Sequence, residues 1–370
     1  MIPSNDSSTC RRAIGHGILN QRALGLSLRN RDVMTSNTGS GNPLATLAIF
    51  AFNQSRFIED AMRAAVAQTY HPLEIIVSDD QSSDDTFDRA RQFAANYRGP
   101  HTLIVRRSAR NRGVLHHLLD VADIASGKLL VAGAADDLPL PHRVETMVAA
   151  WQSRGYAAAF SDYSLIDDDG RIISDHYSYD GTNSAPSAYL PETTNPGIHG
   201  ASSTYDLAVL RKMDRPDPDS RILYEDSWLS LTLSALGLRI VHVPEVLVQY
   251  RQHAASITNF SQSASQSTAD LKLSDRKWRE RGAAYSSTLK GFRNWVVCTR
   301  PTISANLDIL DHDIIYFSRV AHWNELDLLQ RLYSLRYARL PWMRNSIILR
   351  ILPILIRRYI AKFRFTGISK

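Results

Sequence analysis

Three pairs of adjacent carboxylates, Asp79-Asp80, Asp136-Asp137 and Glu225-Asp226, are the side chains of this sequence best suited to chemistry. The first two stand where apolar runs end, in LEIIVSDD and KLLVAGAADD, and the third opens a helical stretch, EDSWLSLTL. A carboxylate at the C-terminal end of a buried strand lies on the rim of a parallel sheet, where open α/β folds bind their ligands. Carboxylates there can accept hydrogen bonds from a nucleobase or ribose, hold a hard divalent cation such as Mn²⁺ or Mg²⁺, and take a proton from a reacting hydroxyl.

The elements that must position these pairs follow from periodicity. LATLAIFAF (44–52) is a short buried strand that ends at Asn53-Gln54. RFIEDAMRAAVAQTY places Ile58, Met62, Ala65 and Val66 on one helical face. LEIIVSDD gives the next strand, QSSDDT the turn and cap, FDRARQFAANY a helix and LIVRR (103–107) a third strand. A helix over 114–125, the strand KLLVAGA, a helix within PLPHRVETMVAAWQSR and the strand AAAFSDYSLID continue the alternation. Strand and helix in turn predict a Rossmann-like α/β fold with a mixed, mainly parallel sheet flanked by helices. Residues 167–200, rich in Ser, Asp, Gly and Pro, read as a lid or acceptor loop. ASSTYDLAVLRKM and EDSWLSLTLSALG read as helices, RIVHV and VLVQY as two strands. The expected division is a disordered arm over 1–42, a catalytic domain over 43–258, a Ser/Gln-rich linker over 259–274 and a helical C-terminal region over 275–370.

Composition bounds the class. The 370 residues are 44% hydrophobic and 22% charged, ordinary for a globular protein, and the net charge is +6. Ten Lys and Arg and no Asp or Glu fall between Arg331 and Lys370, so the rest of the chain is net acidic and the basic character belongs to the tail. Its expected partner is an anionic surface, with no nucleic acid implied. Cys10 and Cys298 are too few and too far apart for a disulfide framework, which points to a reducing, cytoplasmic compartment. Residues 1–42 lack the apolar core of a secretory leader, and no run of about 18 apolar residues suggests a spanning helix.

The order of these features resembles the family 2 glycosyltransferases of the GT-A fold, which move a sugar from a nucleotide-diphospho-sugar to an acceptor with inversion. The block LATLAIFAFNQSRFIEDAMRAAVAQTYHPLEIIVSDDQSSDDT is similar to the family's opening, in which the first strand's end and the Asp-Asp pair bracket nucleobase and ribose. The resemblance therefore implies donor contacts at Phe52, Asn53, Asp79 and Asp80. Asp84 reads more simply as a helix cap. In ARNRGV (109–114), similar to the family's Asn-x-Gly turn, Arg110 and Arg112 read as solvated. LLVAGAADDLPLP is similar to the family's Asp-x-Asp segment, which implies that Asp136 binds the metal and, with Asp137, the donor; Ala134 replaces the first aspartate of the usual triplet. GIHGASSTYDLAVLRKM resembles the acceptor loop, implying His199, Gly200 and Ala201 as acceptor contacts. The Glu225-Asp226 pair matches the catalytic position, with Asp226 as base and Glu225 orienting the acceptor or positioning Asp226. In VLVQYRQHAASIT, similar to the segment closing the donor site, Arg251 and His253 would meet the diphosphate and His253 the metal.

The resemblance implies a metal-dependent transferase using Mn²⁺ or Mg²⁺, a nucleotide-sugar donor and a glycan or lipid-linked acceptor in polysaccharide biosynthesis. The alternative is a catalytically impaired GT-A-like protein that binds a sugar nucleotide or glycan without turnover, for which Ala134 is the motive. A phosphohydrolase would need an Asp-x-Asp-x-Thr nucleophile arrangement at a strand end, which is missing. The tail over 341–370 reads either as a basic amphipathic anchor of a peripheral membrane protein or as a helix packed on the catalytic domain.

Overall fold

The computed structural model describes residues 41–178, 186–218, 220, 222–253 and 268–352. Most of the arm expected at 1–42, Cys10 with the cysteine-pairing expectation, residues 259–267 of the expected linker and 353–370 of the tail lie outside the described residues.

Along the chain the elements are β1 (Ala45–Ala51), α1 (Ile58–Val66), β2 (Leu73–Asp79), α2 (Thr86–Asn96), β3 (Thr102–Arg107), α3 (Val114–Ile124), β4 (Leu129–Ala134), β5 (Leu138–Pro139), α4 (Arg143–Arg154), β6 (Ala158–Ile166) and β7 (Ile172–Tyr177). There follow β8 (Ser203–Asp206), α5 (Leu207–Lys212), α6 (Glu225–Ala235), β9 (Ile240–Arg251), α7 (Thr268–Thr299), α8 (Leu307–Ala321), α9 (Leu328–Tyr333) and α10 (Pro341–Ile351). The sheet order is β3-β2-β1-β4-β8-β6-β9-β5, with β7 on β6. β3, β2, β1 and β4 pair in parallel, and β6 pairs in parallel with β9. Because β8 is antiparallel to both β4 and β6, these run the same way, and the ends of β1, β2, β4, β6 and β9 share one rim.

The side-chain alternation of the strands sorts two cores. Leu47, Ile49, Ile75, Val77, Leu129 and Val131 pack under α1 and α4, against Ile58, Met62, Val144 and Met147. Ala48, Ile76, Leu130 and Ala132 face the other way, toward α3, α6 and the long helix α7. With both faces covered, β1 and β2 are apolar nearly throughout, which is why they read as uninterrupted runs. Each fully buried Leu, Ile or Val contributes roughly 1.5–3 kcal/mol.

Several expectations give way to the structure. STYD, expected within a helix, is β8: its residues are all buried and pair with both β4 and β6, so the sheet overrides a weak helical pattern. RIVHV and VLVQY are one strand, β9, whose register against β6 shifts near Pro244. The expected loop 167–200 contains β7, which pairs with β6 on an edge and was hidden by its exposed, polar composition. On α1 the buried face is Ile58, Ala61, Met62 and Ala65, with Val66 at its margin. Residues 268–274 already belong to α7.

The C-terminal helices form a third layer. α7 and α8 approach so closely that a Cβ on Gly282 would come within 2.4 Å of Val320. α10 buries Met343 and Ile347 against Tyr316, Val320 and Trp323, so the described part of the tail is packed on the helical region. Among the described residues no helix is long and apolar enough to cross a membrane.

Candidate active site

The shared rim collects residues far apart in sequence. Asp80 N donates to Ala51 O at 2.8 Å and Ala135 N to Phe50 O at 3.0 Å, which fastens the turns after β2 and β4 to the end of β1. Asn53 and Gln81 both take left-handed backbone, φ +54° and +64°. Asn tolerates this region, whereas Gln81 costs about 1 kcal/mol that the surrounding contacts must offset. Those contacts are reciprocal: Asn53 N donates to Ser82 Oγ at 2.8 Å, and Ser83 N to Asn53 Oδ1 at 2.8 Å.

The first acidic pair is buried and engaged. Asp79 Oδ2 pairs with Arg107 at 3.1 Å and accepts from Ser82 N at 3.0 Å. Asp80 accepts from Arg112 N and Gly113 N, both at 2.9 Å, so it holds the ARNRGV turn against the rim. Arg112 in turn pairs with Asp120, while Phe52 stands out at the rim, about half exposed (48%). Asp84 accepts from Ser55 N and Thr86 N, both at 3.1 Å, the local capping role expected of it.

The second pair divides its labour. Asp137 is buried; its Oδ1 accepts from Arg251 N at 2.8 Å and its Oδ2 is an orphaned buried acceptor. Burial first, and the neighbouring Asp136 charge second, push the Asp137 carboxyl well above the usual range. Asp136 keeps its side chain partly accessible (15%), and its Oδ2 accepts from Gln54 Nε2 at 3.1 Å and meets His253 Nε2 at 2.9 Å. Its Oδ1 has no hydrogen bond among the described residues. Asp136 and His253 thus present one carboxylate oxygen and one imidazole nitrogen side by side, a donor set that fits a divalent cation whose other ligands are water and phosphate oxygens. Among the described residues no group of three or more such side chains forms a complete protein cage.

Arg251 sits beneath this pair. Its Nε donates to Asp136 O at 2.9 Å and its Nη1 to Asp167 O and Asp168 O at 3.1 and 3.0 Å, with the guanidinium 4.8 Å over the Phe57 ring. The side chain is buried, so it braces the β4 and β6 ends instead of facing out. Nothing local marks Gln54 or Phe57 as partners, since each is simply polar or apolar near a helix start.

The third pair lies in a recess across β4. Gly200 N donates to Asp226 Oδ2 at 3.2 Å and Ser227 N to Asp226 Oδ1 at 2.6 Å. A Cβ on Gly200 would stand 2.5 Å from Glu225 Oε1 and 3.4 Å from Asp226 Oδ2, so only glycine lets the loop close on the pair. Burial and then the Asp226 charge raise the Glu225 carboxyl to about 8; burial raises Asp226 too, opposed by its N–H donors. The two carboxyls titrate as a coupled pair, with both proton affinities raised by burial. His199 stacks on Tyr163 (4.3 Å, 14°) and meets Tyr250 edge-on (5.6 Å, 80°); burial lowers it to about 4, so it is neutral and weakly basic.

Arg143, invisible to motif reading because it opens an ordinary helix, joins the two halves. Fully buried, it donates through Nη2 to Ala132 O on β4 at 2.6 Å and lies 3.4 Å from Ala201 O and Ser203 O. Burial lowers its pKa to about 10, an effect that the Asp137 charge opposes.

Residues 46–213 match the family model described as glycosyl transferase family 2. This stretch is a family 2 glycosyltransferase domain. The chain is 23% identical over 236 residues to an uncharacterized glycosyltransferase of Haemophilus influenzae, covering 60% of this chain and 70% of that protein. It is 27% identical over 160 residues to the putative glycosyltransferase EpsE of Bacillus subtilis, covering 43% of this chain and 52% of that one. Among solved structures, the mannosyltransferase PcManGT of Pyrobaculum calidifontis superimposes with a TM-score of 0.49 at 15% identity, over 91% of this chain and 93% of that one. The chain has a mixed and mainly parallel sheet between helices, with a helical C-terminal part.

Proposed function

We propose that this glycosyltransferase inverts: the acceptor hydroxyl gives its proton to Asp226 as its oxygen attacks the anomeric carbon of a nucleotide-diphospho-sugar, and the bond to the diphosphate breaks on the opposite face. The observation that carries the reading is the recess of Glu225 and Asp226 at the same rim as Asp136. Gly200 N and Ser227 N orient Asp226, and Gly200 lets the loop close on the pair. Residues 43–258 are the transferase unit, and the helices over 268–352 its appendage.

Asp136 and His253 would hold Mn²⁺ or Mg²⁺, with the diphosphate completing the shell. A bound cation neutralises the charge that develops on the leaving group. Phe52 and Asn53 sit where a nucleobase would lie, while Asp79, Asp80, Asp137 and Arg251 shape the donor side by fixing the turns beneath it. Ala201 and His199 line the acceptor side with Gly200. The acceptor is a glycan or a lipid-linked glycan intermediate in surface polysaccharide assembly, handled at the cytoplasmic side of a membrane.

The test is a screen of nucleotide sugars for Mn²⁺-dependent release of nucleoside diphosphate. Turnover by the wild-type chain that disappears in Asp136→Asn is the expected result. Saturable nucleotide-sugar binding with no turnover for any donor would replace this reading by that of a binding protein.

A further inference from the structure

The helical appendage carries a surface that catalysis does not use. α9 is a six-residue helix with no buried residue. Leu328 (60%), Leu329 (78%), Leu332 (44%) and Tyr333 (50%) are all exposed, and their spacing of one and four places them on one stripe. A helix this short does not hold itself together. Here it is fixed from outside the stripe: Asp327 and Gln330 form a capping box at 2.7 and 3.0 Å, Arg319 Nε donates to Ser334 Oγ at 2.7 Å, and Arg331 lies 5.4 Å over Trp323. The fold thus spends polar contacts to hold an apolar stripe in water. Trp342 (45%) and Ile348 (49%) on the neighbouring α10 add to the exposed apolar surface. Soluble proteins seldom leave large side chains clustered this way without a partner.

The rim of this surface is basic. Arg319 and Arg336 stand 5.7 and 5.9 Å over the Tyr333 ring, and Arg336 and Arg344 are exposed. From Leu328 to Lys370 the sequence has no Asp or Glu, and the nearest acid, Asp327, is engaged in the cap. Leucines with Tyr and Trp among arginines are the composition of an element lying in a bilayer interface.

We infer that α9, with the exposed side chains of α10, docks on the anionic face of a phospholipid bilayer. A second copy of the chain is the weaker occupant, since two such faces would bring their arginine rims together. The appendage packs beside α6, where Gly291 lies against Ile222 and Trp228 and the Tyr285 ring lies tilted against Tyr224, directly before Glu225. Docking through α9 therefore anchors the unit that carries the acceptor end of the site. This deepens the reading of a membrane-borne acceptor and rests on it only for that purpose.

The experiment is co-sedimentation of the full chain, without nucleotide sugar, with vesicles of phosphatidylcholine alone or with about 30% phosphatidylglycerol. The wild type should bind the anionic vesicles, and Leu329→Asp/Leu332→Asp should bind on the order of a hundredfold more weakly with an unchanged unfolding temperature. Arg336→Glu should lose much of the preference for anionic over neutral vesicles, and Asp136→Asn should bind like wild type whether or not transfer activity is ever found. Absence of wild-type binding, equal binding by the double variant, or lipid-free dimerisation that the double variant abolishes would each overturn the inference.

Discussion

Replacing Glu225 by Gln removes a titrating group while keeping its size, and the structure sets the sign and scale of the outcome. The Glu225 carboxyl is held at about 8 against 4.5 in an open chain, first by burial and then by the Asp226 charge. A group whose folded pKa is raised adds stability that is complete below the unfolded value and lost as pH rises through the folded one, so the window runs from about 4.5 to about 8. At 1.36 kcal/mol per pKa unit the ceiling is about 5 kcal/mol, and solvent access at the mouth of the recess reduces the expected effect to about 2 kcal/mol. Urea unfolding at about pH 5.5 and about pH 8.5 should show wild type losing roughly that much relative to Glu225→Gln between the two. Parallel stability curves for the two proteins would refute the picture of a Glu225 carboxyl raised by burial.

Two further substitutions probe the frame of the site. Gly200→Ala should lower kcat by about 10- to 100-fold with little change in unfolding temperature, because its Cβ would displace Glu225 while the fold around it is unaltered; steady-state kinetics beside a thermal melt decides it. Arg251→Met leaves the carbonyls of Asp136, Asp167 and Asp168 without their donor and should destabilise by about 3 kcal/mol, read as a lower urea midpoint. A midpoint equal to wild type would mean that the guanidinium braces nothing.

The sequence by itself carried the alternation of strand and helix and the positions of the acidic pairs, because both are local properties. β1 and β2 are buried on two faces and so are dominated by apolar residues, and the carboxylate pair stands at the end of β2 where the chain leaves the sheet. Their order along the chain was enough to suggest the family to which residues 46–213 belong. What the order could not convey is which carboxylates face outward. Asp79, Asp80 and Asp137 are spent on backbone and arginine partners, whereas Asp136 and Asp226 keep access, and the difference is made by Arg107, Gly113, Arg251 and Gly200 arriving from distant segments. Edge strand β7 and the short β8 were likewise undecided locally, since each is defined by its pairing with β6 and not by its own pattern. The elevated proton affinity of Glu225, the buried Arg143 and the apolar stripe of α9 are tertiary facts for the same reason. Burial, desolvation and exposure are set by what packs against a residue, and neighbours in space are not written in neighbours in sequence.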